Sequence, residues 1–252
     1  MVSSYMLKLL FALAILAVTW LAGWYPFRHK KKHSTHFELP VGESLATGVF
    51  LGAALMHMLP EAHQLFQNLG YHFPFSYSLV GIVFLGFLWL EHLGKELYEH
   101  RDTSDVAFAI LAMVMMSVHS IISGTALGIT QHNSVIIILF LAIIAHKWAE
   151  SFAISIQLNK SNMSLRNGQL LFMIFSFMTP LGILIGGLSG QQDHNDSLFD
   201  AVIMSISAGT FLYLGTLHGL ERCVMVQRCC NLRDFSFVII GFLMMGLAAI
   251  YV

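Results

Sequence analysis

Charge is scarce in this sequence. Only 11% of its 252 residues are Asp, Glu, Lys or Arg, while 56% are hydrophobic, far from the roughly one-quarter charged composition of soluble domains. A mean hydropathy of +0.71 points to a membrane protein. There is no basic excess, since the net charge is −1 with histidine neutral, which removes the electrostatic ground for binding nucleic acid. Cysteine is nearly absent: Cys223, Cys229 and Cys230 all fall in one polar loop, so no disulfide framework can be drawn and a reduced, cytoplasm-facing loop is the simpler reading. No basic cluster precedes the first apolar run. The cluster follows it, so a cleaved signal peptide is not expected and the run is read as retained.

What the sequence does have is apolar runs long enough to cross a hydrocarbon core of about 30 Å. Eight candidate spans follow: Leu7 to Trp24, Glu43 to Glu61, Tyr77 to Leu97, Val106 to Thr130, Ser134 to Leu158, Gln169 to Leu188, Leu198 to Leu220 and Phe235 to Val252. The connections between them are too short for a soluble domain. The expected fold is therefore all-α, a bundle of eight transmembrane helices making a single transport domain over residues 1–252. Eleven of the thirteen basic residues lie in connections one–two, three–four, five–six and seven–eight. Lys and Arg mark the cytoplasmic side, so both termini are expected outside. Gly124 and Gly128, Gly182 and Gly186, and Ser205 and Gly209 are each four apart, the spacing of small residues that lets membrane helices touch backbones.

Against this apolar background a few polar residues stand out. A charge at a bilayer centre costs roughly 2.5–3.5 kcal/mol on insertion scales, yet span five carries His146, Lys147 and Glu150, and span four carries His119, Ser120 and Ser123. His119 and Ser123 are four apart, as are His146 and Glu150, which leaves each pair about 40° apart on one helix face. Each span thus presents one imidazole and one oxygen a turn away. Neutral imidazole with carboxylate suits zinc and neighbouring divalent metals. His119, His146 and Glu150 are the expected ligands, with Ser120, Ser123 or water completing the shell. The plainer alternative satisfies each group separately, the histidines by backbone carbonyls and Glu150 by Lys147. A cation beside a metal site opposes binding, so Lys147 either turns to a carboxylate or stands where a second cation would be; both place one metal ion here.

Other polar residues mark candidate routes. Span two ends in His57, Pro60 and Glu61, with His63 following, where the proline removes a backbone donor and can kink or end the span. Span seven ends in His218 and Glu221, three apart. Glu91 in span three is a further route candidate, beside His92, Lys95 and Glu96, although a solvated helix end is the simpler explanation of this group. His29, His33 and His36 sit among lysines, read as solvated loop, and His194 with Asp193 and Asp196 could gather cations in an outside loop.

With these residues in view, the chain resembles the ZIP (Zrt-/Irt-like) family of divalent metal transporters over nearly its whole length. The likeness rests on Gly48 to Gly52 and Met58-Leu59-Pro60-Glu61, Leu90-Glu91-His92, His119-Ser120, His146-Lys147 with Glu150, Thr179-Pro180-Leu181-Gly182, and Gly209 to Tyr213. It implies import of zinc or a related ion toward the cytoplasm through a site between spans four and five, with an elevator-like or rocking rearrangement. His146-Lys147 resembles a branch with His-Lys-x-x-Glu in span five. The chain departs from many members where Ser120 replaces asparagine, Ser123 an acidic residue and His218 a glutamate. The long histidine-rich loop between spans three and four is missing, reduced to the stretch around Arg101 to Ser104.

The expectation is a zinc transporter, with Fe²⁺, Mn²⁺ or Cd²⁺ accepted by the same ligand set, and no cofactor. It sits in the lipid bilayer, most simply the plasma (inner) membrane, with a homodimer as one assembly it allows. Two alternatives stay open at this point. An intramembrane zinc hydrolase would use similar residues, but the HExxH spacing is missing because lysine follows His146 and Glu150 stands where the second histidine belongs. A haem-binding membrane cytochrome would pair one histidine from each of spans four and five.

Overall fold

The computed structural model describes residues 4–29, 39–97, 101–161, 163–189, 198–216 and 232–250. Among these, every regular element is helical: α1 (Ser4–His29), α2 (Pro40–Gly52), a π-helical segment (Ala53–Met58), α3 (Leu59–Asn68), α4 (Phe75–Leu97), α5 (Arg101–Ile129), α6 (Asn133–Lys160), α7 (Leu165–Ser176), α8 (Met178–Leu188), α9 (Leu198–Tyr213) and α10 (Leu232–Ala249). Taken with their continuations, they give eight helices long and apolar enough to cross a membrane. Over the described residues the chain is an all-α membrane protein with eight candidate spans.

Two spans are built differently from the simple runs expected. Span six is not one helix: it breaks at Phe177, between α7 and α8. Pro180 has no N–H to offer the carbonyl of Ser176, and Phe177 N–H turns back to Ile174 O at 3.2 Å, so the ladder is interrupted there. Span two does the opposite, running past Pro60 to Asn68. Just upstream the backbone widens into the π-helical segment, where Leu59 N–H bonds to Ala54 O, five residues back. One extra residue in the turn absorbs the donor that Pro60 lacks, so the span passes the proline without ending.

The helices fall into two compact units. In one, α1, α6, α7 and α8 pack with most of α5 around Ile15, Leu127, Ile143 and Ile183, and the Phe11 and Phe140 rings stack at 3.8 Å. Glycine sets the spacing of α5 and α8. A Cβ built on Gly124 would strike the carbonyl oxygen of Thr179, one on Gly182 that of Ile121, and one on Gly186 that of Thr125. The two small-residue pairs of these spans thus face each other, backbone against backbone. Lys8, expected at the head of span one, is buried and donates to the Gly128 carbonyl near the C-terminal end of α5. Carbonyls there have no partner within the helix, and a cation is favourable.

In the other unit α2 packs along α10 and α4 along α9. Gly48 meets the Val238 carbonyl of α10, and Gly209 approaches Val80 and Val83 of α4. Phe50 and Phe211 meet edge to face at 5.1 Å. Large apolar side chains such as Leu9, Leu13 and Leu21 on α1 and Leu243 and Leu247 on α10 point outward. Such surfaces are a liability in water and the natural outer face of a helix in lipid.

Candidate metal centre

The polar residues of α5 and α6 converge inside the first unit. His146 lies at the middle of α6, Asn133–Lys160, and His119 at the middle of the apolar stretch Ala109–Ile129 of α5. Mid-helix carbonyls are consumed by the helix itself, so these side chains must find partners across the interface. His119, Ser120, His146, Lys147 and Glu150 are all buried, and Ser123 is half-buried.

The four-residue spacings do as expected. On α6, His146 Nε2 stands 3.5 Å from Glu150 Oε1, and from α5 His119 Nε2 stands 3.5 Å from the same oxygen. The imidazole centroids are 5.8 Å apart. Ser123 Oγ is 3.3 Å from His119 Nε2. One ligand atom from each of His119, His146 and Glu150 lies within 4.8 Å of the other two. Ligands held at 2.0–2.2 Å around a tetrahedral divalent ion are about 3.3–3.6 Å apart. Both histidine-to-carboxylate separations fall in that range.

The other carboxylate oxygen is used differently. Glu150 Oε2 receives a bond from Lys147 Nζ at 2.8 Å and one from Ser120 Oγ at 3.5 Å, and Lys147 also donates to Ser120 Oγ at 2.6 Å. Glu150 is therefore paired with Lys147 through one oxygen, as the plainer alternative expects, while its other oxygen faces the two imidazoles. Lys147 thus turns to a carboxylate, and that carboxylate is the one whose other oxygen stands 3.5 Å from both imidazoles. A residue that spacing alone did not find is Phe175 of α7, whose ring centroid is 4.5 Å from Lys147 Nζ. No pattern in the sequence links the two, because the contact is made only when α7 packs on α6.

The route candidates within the described residues lie in the second unit. His57, in the π-helical segment, and Glu61, one turn on, are 3.7 Å apart, with Glu61 partly exposed. His63 approaches Gln67 Nε2 at 3.1 Å and Ser76 Oγ at 3.4 Å. Glu91 is not part of a solvated helix end: it is buried and accepts from the Tyr213 hydroxyl of α9 at 2.7 Å. The i+1 neighbour His92 points outward, 2.9 Å from Leu88 O. Solvation thus accounts for the exposed His92 and Glu96, and tertiary pairing for Glu91. His218, Glu221, the three cysteines, His33, His36 and His194 lie outside the described residues.

Because leaving a buried acceptor without its partner costs about 1–3 kcal/mol, Tyr213→Phe is expected to lower unfolding stability by that order. A thermal melt of the purified variant that overlays the parent would show that the bond to Glu91 contributes nothing.

The profile of the ZIP zinc transporter family matches residues 101–249, a stretch that includes both α5 and α6. The chain belongs to the ZIP zinc transporter family. Among its relatives, the zinc transporter ZIP2 of Mus musculus is 26% identical, the match covering 82% of this chain and 83% of that protein. The zinc transporter ZIP2 of Homo sapiens is 24% identical over 82% and 84%, and a putative metal ion transporter, ZIPCO, of Plasmodium berghei is 26% identical over the same shares. The chain is a divalent metal transporter of the membrane, with zinc as its transported substrate, and an integral multi-pass protein. The family and these relatives are transporters, not enzymes, and nothing favours the hydrolase.

Proposed function

We propose that zinc crosses through a single site made by His119, His146 and Glu150, with the hydroxyls of Ser120 and Ser123 or water filling the remaining positions. The observation that carries this is Glu150 Oε1, which stands 3.5 Å from an imidazole nitrogen on each of two helices while Lys147 occupies Oε2. A transport site must bind and also release, so a few mixed ligands serve better than a closed thiolate cage. The one carboxylate and the adjacent ammonium favour one ion at a time, with no room for a second positive charge.

The bias of eleven basic residues to alternate connections supports both termini outside and movement of zinc toward the cytoplasm. His57, Glu61, Glu91, His218 and Glu221 are the candidate residues of the route. The same ligand chemistry accepts Fe²⁺, Mn²⁺ or Cd²⁺, and the plasma (inner) membrane and a homodimeric assembly complete the reading, with all eight spans serving one transport domain.

Purified protein in liposomes with a zinc-sensitive dye sealed inside is expected to pass zinc down its gradient. Cadmium, iron and manganese should each compete in the outer solution, and magnesium should not, because Mg²⁺ demands a near-octahedral oxygen shell that this nitrogen-rich set lacks. Zinc flux that magnesium blocks as well as cadmium would sink this choice of ligands.

A further inference from the structure

Lys147 heads the fully buried large side chains of the described residues, and an ammonium inside a membrane span is among the costliest placements a protein makes. Three helices offset that cost. On its own helix Nζ donates to Glu150 Oε2 at 2.8 Å, on α5 to Ser120 Oγ at 2.6 Å, and on α7 it faces the Phe175 ring at 4.5 Å. An ammonium has three donor directions, and these contacts account for them.

The arrangement is one-sided. If Lys147 served only to neutralise a buried glutamate, nothing would require it to use one oxygen and leave the other. Here Oε2 receives the ammonium and the serine hydroxyl, whereas Oε1 makes no hydrogen bond and faces the two imidazoles. The carboxylate is held so that one oxygen alone is presented. The ammonium also remains as a fixed positive charge beside any ion that binds there, and like charges at this range repel strongly in a poorly polarisable interior.

We propose that Lys147, braced by Ser120 and Phe175, is a positioning residue of the transport site that makes Glu150 a one-oxygen ligand and weakens zinc binding enough for release. This rests on the single-site reading above. With neutral imidazoles, Lys147 and Glu150 cancel in the empty site, so a bound ion is held by two nitrogen dipoles and a carboxylate already half satisfied. Such a shell suits a borderline ion that accepts nitrogen and binds poorly to ions that need many anionic oxygens. Lys147 thereby trades affinity for turnover.

Two measurements test this. X-ray absorption at the zinc edge of the loaded wild-type protein is expected to show imidazole nitrogens and a carboxylate bound through one oxygen. A carboxylate bound through both oxygens overturns the proposal, whereas a zinc shell without imidazole means that the transport site itself has been misplaced. In Lys147→Met, zinc binding by calorimetry and the KM of liposome flux should both tighten about tenfold while the maximal rate falls, as removal of a nearby like charge requires; Lys147→Arg should restore both. A merely structural lysine would lower the amount of active protein and leave Kd and KM unchanged. Unchanged or weaker binding in folded Lys147→Met therefore overturns the proposal. If that variant does not fold, the wild-type absorption spectrum and the arginine variant decide.

Discussion

In His146→Ala, zinc flux per folded molecule is expected to fall at least about a hundredfold, because even residues that only support a metal ligand cost 10–100-fold in affinity when lost. His146 is placed to be a ligand itself. Its Nε2 is 3.5 Å from Glu150 Oε1, and it is the only imidazole α6 contributes among the described residues. Removing it leaves His119 and one carboxylate oxygen, and that oxygen stays beside the ammonium of Lys147, 2.8 Å from its partner Oε2. Neither remaining group can close a shell around zinc. The substitution also removes a buried ring, so flux should be normalised to protein that elutes as a single folded species. Calorimetric zinc binding on the same sample separates lost binding from lost fold. If folded His146→Ala carries zinc at the parent rate, the site lies elsewhere.

The second large effect concerns packing and not chemistry. Gly182→Val should leave little folded protein, or lower stability by about 3 kcal/mol, the upper end of ordinary overpacking. A Cβ at Gly182 would land on the Ile121 carbonyl oxygen of α5 and within 3.0 Å of Thr125 N. Backbone atoms cannot rotate aside as a side chain tip can, so α8 would have to move away from α5. The neighbouring contacts at Gly124, Gly128 and Gly186 are as close and would open with it. Ile121 and Thr125 flank Ser123, which bonds to His119, so a displaced α5 also carries the site residues with it. Size-exclusion elution and a thermal melt in detergent measure the first consequence. Residual zinc flux measures the second, and a variant that melts and transports like the parent would show that α5 and α8 do not depend on this contact.

Much of the candidate site's geometry was legible because helical geometry is local. His119 with Ser123 and His146 with Glu150 recur at four residues, and any helix long enough to cross a membrane places such pairs on one face. The cost of burying them then demands a partner, and the next span along the chain is the nearest source. The glycine pairs were legible for the same reason, as a face too small to keep a neighbour away. Partners distant in sequence were not. Phe175 against Lys147 and Tyr213 against Glu91 leave no mark in spacing, since any of several helices could have been placed there. The two prolines also gave opposite results. Pro180 sits beyond a break at Phe177, whereas Pro60 is carried through by a π-helical turn, and which outcome occurs depends on whether the surrounding helices reward a continuous span.

By itself, the sequence determined the class and the cast: an all-helical chain of eight spans, a zinc transporter's polar residues, and the pairs that share a helix face. These follow from hydropathy and a fixed rise and turn per residue, which no neighbour can alter. Only the tertiary structure decided how Glu150 divides its two oxygens between Lys147 and the imidazoles. That division depends on how α5, α6 and α7 meet, with α5 held close to α8 by glycine contacts and the Phe175 ring of α7 set against Lys147, and such packing is a property of the assembled helices that no single segment carries.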